Sequence, residues 1–237
     1  GNHREVGAIM NTRKLATLSL ALLVPASGLC AQDRASRRVK SGMPAPEFEL
    51  KDLEGKKVTL RALRGLSAKA DEDGAKPPEG KVVVLDFWSI RCPISVGWEA
   101  RLKEICARYS ARGVVFVAIN SNRAGEDQGT HERDEDIKAY CKKHAIPYRV
   151  LIDEKARVAD VYGAARTPDI FVVGQKGTIR YTGLIDTDHR ISDPEKRRDY
   201  LAEALDAVLA GEEPEVRDIA PKGCSIKRPR AERRGKG

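Results

Sequence analysis

The chain has 237 residues, 43 Lys and Arg against 35 Asp and Glu, a formal net charge of +8, and 41% hydrophobic but only 5% aromatic residues. That length supports one sizeable core plus tails, and the apolar runs recurring through the middle exclude a wholly disordered chain. The positive charge does not mark a nucleic-acid surface, because seven Lys/Arg fall in the last seventeen residues and no aromatic side chain interleaves with them for base stacking.

In chain order, Arg13 and Lys14 precede the apolar run Leu15–Val24, and small residues follow through Gly28 and Ala31. A basic start, about ten apolar residues and a small-residue exit match a cleaved export signal, whereas a membrane span needs roughly twenty. Residues 1–31 therefore read as an upstream extension, with Met10 a candidate start, followed by a signal peptide. Cys30 invites a lipid anchor, but Leu29 stands where such a signal wants a small residue, so no stable membrane anchor is expected. The mature protein is expected to be periplasmic or secreted, where disulfides persist.

Residues 32–42 read as a polar linker, 43–212 as the folded domain and 213–237 as a basic, disordered tail. Within the domain, Phe48–Leu50 and Val58–Leu60 flank the turn at Asp52–Gly55 and predict a hairpin. Ser67–Gly80, rich in Ala, Asp, Gly and Pro, predicts a surface insertion. Strands are predicted over Val82–Phe87, Val114–Ile119, Tyr148–Ile152, Ile170–Val173 and Ile179–Thr182. Helices are predicted over Ser95–Arg112, ended by Gly113, and over Glu132–His144, Glu154–Tyr162 and Pro194–Leu209. Strands alternating with helices imply a partly parallel sheet, to which the late hairpin adds antiparallel strands.

The most informative stretch is Asp86-Phe87-Trp88-Ser89-Ile90-Arg91-Cys92-Pro93-Ile94-Ser95, a buried strand passing through a short loop into a helix. Cys92 would occupy the helix N-cap with Pro93 at the first helical position, where a missing N–H costs nothing. Free backbone N–H groups and the positive helix end favour a thiolate there. Arg91 adds positive charge, Ser95 can donate its hydroxyl to the sulfur, and Trp88 would shield one side. Asp86-Phe87-Trp88 with Cys92-Pro93, the later Thr167-Pro168 and the opening Pro44-Ala45-Pro46-Glu47-Phe48 hairpin resemble the thioredoxin-fold redoxin family, with its thioredoxin-like and AhpC/TSA peroxiredoxin-like branches. The resemblance covers roughly Met43–Gly211. It implies an α/β class, a three-layer α/β/α fold with a mixed central sheet and an N-terminal β-hairpin. It further implies that Thr167 and cis Pro168 face the cysteine and bind substrate backbone, and that Asp86 matches the buried acid that moves a proton for a second cysteine.

Ser95 stands where a dithiol enzyme carries that second cysteine, so Cys92 cannot close a local disulfide. Three routes stay open: a single thiol released by an external thiol, a peroxidatic cysteine oxidised to sulfenic acid, or a partner cysteine elsewhere in the chain. Cys106 lies fourteen residues further along the same helix, about 20 Å away. Cys141 reads as a packed helix residue. Cys224, in Pro221-Lys222-Gly223-Cys224-Ser225, is the candidate resolving cysteine. A peroxidase is disfavoured by Leu85, which stands where that branch carries proline, although Ser89 can fill its threonine position.

No cysteine pair has metal-finger spacing and the histidines (His3, His131, His144, His189) are not arranged as ligands, so neither a metal nor a cofactor is expected. The acidic clusters Asp153-Glu154 and Asp186-Thr187-Asp188-His189 could suggest a paired-carboxylate hydrolase, but read better as solvated loops or as holding a loosely bound cation. The expected function is an exported thiol–disulfide oxidoreductase acting through Cys92 on protein or small-molecule disulfides, with an external thiol reductant and no specific nucleic acid. A peroxiredoxin-like peroxidase using Cys92, and a redox-inactive binding module, are the alternatives.

Overall fold

Residues 83–87 bury five side chains in succession, the pattern of a strand covered on both faces. That strand, β3 (Val83–Phe87), is part of a seven-stranded sheet with β1 (Glu49–Asp52), β2 (Lys57–Thr59), β4 (Val115–Asn120), β5 (Arg149–Ile152), β7 (Ile170–Val173) and β8 (Ile179–Gly183). The structure is a computed structural model and describes residues 1–2, 38–67, 79–123, 131–188 and 194–228. The sheet order is β2-β1-β5-β4-β3-β7-β8. β3–β4 and β4–β5 pair in parallel, and the β1–β2, β1–β5, β3–β7 and β7–β8 pairs are antiparallel. The expected mixed sheet and N-terminal hairpin are both present.

Helices α1 (Leu60–Leu63), α2 (Pro93–Ser110), α3 (Asp134–Lys143), α4 (Arg157–Tyr162) and α5 (Tyr200–Leu209) complete the layers. Period-two alternation along β3 feeds two cores. Val84 packs with Trp98, Leu102 and Ile105 of α2, Ile137 of α3 and Leu205 of α5. Val83, Leu85 and Phe87 pack on the opposite face with Val158, Ala159 and Tyr162 of α4 and with Phe48 and Leu60. Each such fully buried side chain contributes roughly 1.5–3 kcal/mol.

The predicted elements are found with ends shifted by a few residues. The exceptions are α1 and the two-residue strands at Arg166–Thr167 and Cys224–Ser225, which were not predicted, and the closing helix, which starts at Tyr200 after a separate 3-10 turn at Pro194–Lys196. Gly113 closes the turn after α2 at a φ of 86°, a conformation that favours glycine.

Both ends of the domain need correction. Val39, placed in the linker, is 4% exposed in the core and donates its backbone N–H to the Tyr162 carbonyl at 3.1 Å. Residues 213–228, expected to be a disordered tail, cross the domain in fixed register. Ile219 donates to Thr182, Ile226 is 5% exposed in a core, and β9 (Cys224–Ser225) pairs antiparallel with β6 (Arg166–Thr167). Scattered apolar residues in a basic segment supply that docking, which net charge hides.

The signal peptide, residues 68–78 of the insertion, and residues 124–130, 189–193 and 229–237 lie outside the described residues.

Candidate active site

Cys92 ends the loop after β3 and caps α2. Its backbone is extended, its sulfur accepts from the Ser95 backbone N–H at 3.5 Å, and Pro93 opens the helix, as the sequence leads one to expect. Facing it is the turn between β6 and β7, where Thr167–Pro168 is a cis peptide. The protonated sulfur donates to the Thr167 carbonyl at 2.9 Å.

Other groups favour the thiolate. Burial pushes the Cys92 thiol up, but the neighbouring Cys224 and Thr167 side chains, together with the Ser95 backbone amide, outweigh it and hold Cys92 below the ordinary thiol range. The other cysteines move the opposite way. Cys106 is raised by burial, and Cys141 is pushed up to about 11 by burial and then by the nearby carboxylates. Cys224 is pushed up to about 11, first by burial and then by its hydrogen bond to Cys92 and that group's charge. Among the four described cysteines, Cys92 alone is held below the ordinary thiol range.

Ser95 contributes differently from expectation. Its hydroxyl is buried without a hydrogen-bond partner, and only its backbone amide reaches the sulfur. Arg91 is exposed and its charge favours the Asp136 carboxylate of α3. Trp88 is 2% exposed and meets Tyr140 edge-on at 5.6 Å. Asp86 is buried beside the site with one carboxylate oxygen unpartnered. Burial, then the charges of Asp169 and Cys92, push its carboxyl up to about 8.

Two further groups position the site. Glu132, 1% exposed, accepts from Ser89 Oγ at 2.5 Å, from the Ile90 N–H at 3.1 Å and from Asn120 Nδ2 at 2.6 Å, fixing the loop that carries Cys92. Asp169 follows the cis proline and is gripped by Arg38, while its backbone carbonyl takes the Phe87 N–H at 3.1 Å. Sequence reasoning missed both. Glu132 read as the first residue of a helix, and Arg38 as part of a basic linker.

In the β6–β9 register Cys224 lies opposite Thr167, the residue whose carbonyl takes the Cys92 thiol proton, and its nearness lowers the Cys92 thiol. Cys106 and Cys141 are free thiols away from this contact. Each acidic cluster has one buried member held by hydrogen bonds, beside exposed Glu154 and Thr187. Asp153 is 2% exposed and accepts from Ser121 Oγ at 2.8 Å, and the fully buried Asp186 accepts from Trp98 Nε1 at 2.5 Å. Among the described residues no group of three or more His, Cys, Asp or Glu is arranged to hold a metal.

Residues 72–190 match the AhpC/TSA family. The chain is 27% identical over 165 residues to the thiol-disulfide oxidoreductase ResA of Halalkalibacterium halodurans, covering 70% of this chain and 79% of that protein. It is 25% identical over 169 residues to the thioredoxin-like protein YneN of Bacillus subtilis, covering 70% and 86% respectively. Among solved structures, a hypothetical protein from Sinorhizobium meliloti 1021 is 28% identical with a TM-score of 0.67, over 82% of this chain and 98% of that one.

Proposed function

Because this chain belongs to the AhpC/TSA family, we propose that it is an exported thiol–disulfide oxidoreductase whose nucleophile is Cys92. Its fold is thioredoxin-like. The observation that carries the reading is the Cys92 sulfur at the N-cap of α2, facing the Thr167–Pro168 turn and accepting from the Ser95 backbone amide, with surroundings that lower its thiol below the ordinary range. The thiolate attacks one sulfur of a substrate disulfide, forms a mixed disulfide, and expels the other sulfur as a thiolate.

The substrates are protein or small-molecule disulfides, and an external thiol restores the enzyme. Thr167 offers its backbone to the bound chain. Trp88 and Asp86 act on the site from beneath, packing the loop and setting its electrostatics. Export is supported by Arg13 and Lys14 ahead of the Leu15–Val24 run and by the chemistry itself, which suits a compartment where disulfides form. Among the described residues no helix is long and apolar enough to cross a membrane.

The peroxidase reading fares less well. Ser89, the candidate for the peroxidase threonine, gives its hydroxyl to Glu132, and Leu85 is fully buried in a core.

The test compares wild type with Cys92→Ser. The thiolate absorbance lost in the variant should titrate below the ordinary cysteine value, and disulfide reduction should fall by at least a hundredfold. Sulfenic acid formation by peroxide faster than disulfide exchange would favour the peroxidase. Equal disulfide reactivity in both proteins would leave only a binding module.

A further inference from the structure

Cys92 is 1% exposed although it is the thiol best prepared to react. What covers it is the chain's own strand β9. Arg166 and Thr167 of β6 pair with Ser225 and Cys224, so the backbone edge beside the nucleophile is already occupied. The fit is close. A Cβ on Gly223 would lie 2.0 Å from the Thr167 carbonyl oxygen, and φ is +153° at that residue.

Flanking contacts hold the strand in register. Ile226 donates to the Ala165 carbonyl at 3.0 Å, the Lys227 N–H to Asn122 Oδ1 at 2.9 Å, and Arg228 to Asp160 at 2.7 Å and to the Ala164 carbonyl at 2.6 Å.

We propose that β9 is a tethered, displaceable occupant of the substrate edge, and that Cys224 on it is the resolving cysteine, forming an intramolecular disulfide with Cys92. This rests on Cys92 being the nucleophile. Both thiols are free, and the Cys92 sulfur lies 2.9 Å from the carbonyl of Thr167, the residue that pairs with Cys224, so a local shift would bring the two sulfurs to the usual S–S length of about 2.05 Å.

The steps balance. β9 lifts, and the Cys92 thiolate attacks a substrate disulfide, forming a mixed disulfide and releasing one substrate thiolate. Cys224 loses its proton to solvent and attacks the Cys92 sulfur, breaking the mixed disulfide and releasing the second thiolate. Two electrons pass from the Cys92/Cys224 dithiol to the substrate, and an external thiol reduces the new disulfide.

The order is enforced electrostatically. While Cys92 is a thiolate, its charge and its hydrogen bond keep the Cys224 proton in place. Lifting of β9 breaks the hydrogen bond and the mixed disulfide removes the Cys92 charge, so Cys224 becomes easier to ionise when its nucleophilicity is needed.

The test follows the reaction with dithionitrobenzoate, a chromogenic aryl disulfide, by thiolate release, intact mass and peptide mapping. Wild type should release two thiolates per chain in its fast phase and end with linked Cys92 and Cys224 peptides and no adduct. Cys224→Ser should release one thiolate and keep the adduct on Cys92. Wild type that retains the adduct as Cys224→Ser does, or that links the two cysteines only between chains, overturns the proposal while leaving Cys92 as nucleophile. Fast release from Cys92→Ser would instead sink the function proposed above. Gly223→Ala keeps both thiols but cannot seat the strand. It should speed alkylation of Cys92 by iodoacetamide at least tenfold, and an unchanged rate would show that β9 is no cover.

Discussion

Arg38 grips Asp169 with both ends of its guanidinium, Nη1 to Oδ2 at 2.5 Å and Nη2 to Oδ1 at 2.6 Å, while stacking 4.6 Å over the Phe171 ring. A residue ahead of the first strand thus fixes the turn that faces the nucleophile.

Arg38→Ala should destabilise the protein by about 2–4 kcal/mol, because it strands a fully buried carboxylate. The loss should depend on pH. Burial raises the Asp169 carboxyl to about 6 even with Arg38 opposing it. A carboxyl raised above its unfolded value contributes stability that is present below about pH 4 and lost as pH rises through the folded value. Removing Arg38 moves that folded value higher, so urea unfolding should show a larger penalty at about pH 8 than at about pH 5. Equal penalties would mean that the pair acts through packing alone.

Asp86→Asn should stabilise the fold at about pH 8 by about 1–3 kcal/mol, since a buried carboxyl raised to about 8 costs stability as pH climbs from about 4 to that value. Below about pH 4, where both side chains are neutral, the advantage should disappear. Coupling is reciprocal, so the Cys92 titration should move lower in the variant. A Cys92 titration identical to wild type would deny the electrostatic link.

Glu132→Ala should cost about 2–4 kcal/mol through the orphaned partners Ser89, Ile90 and Asn120. Disulfide reduction should slow as the Cys92 loop loosens, and Glu132→Gln should recover part of both losses. Full activity in Glu132→Ala, measured below its unfolding temperature, would remove Glu132 from the positioning of the site.

Ser95→Ala should change the rate at which Cys92 attacks a small disulfide by no more than about twofold, because the hydroxyl makes no bond and the backbone amide that does is retained. A tenfold loss would show that the hydroxyl turns to the thiolate during reaction.

What could be read from the chain was whatever a local pattern encodes. Val82–Phe87 announces a central strand by its run of β-branched and apolar residues. Cys92-Pro93 announces a helix start by the chemistry of the first turn, and Thr167-Pro168 was recognisable only through a family likeness. The missed features are all pairings between distant segments. β6 and β9 have two residues each, too short for any periodicity, and their register is set by contacts at Gly223, Ile226 and Arg228. The apolar Val216, Ile219 and Ile226 were the available signal, but the eight Lys and Arg of residues 213–237 read as a solvated tail. Arg38 was discounted likewise, as one basic residue in a basic run. Its partner follows the cis proline, far along the chain.

Strand β9 follows every other described element in chain order, so the fold can be nearly finished before its site is closed. A chain folding in order of synthesis assembles the sheet, seats Cys92 at its helix and forms the β6 turn while Cys224 has yet to arrive. For that interval the nascent protein carries an uncovered nucleophilic thiol. In an oxidising compartment its first partner would be whichever small thiol or disulfide is nearest, and the late arrival of Cys224 would then be what clears the adduct and completes maturation.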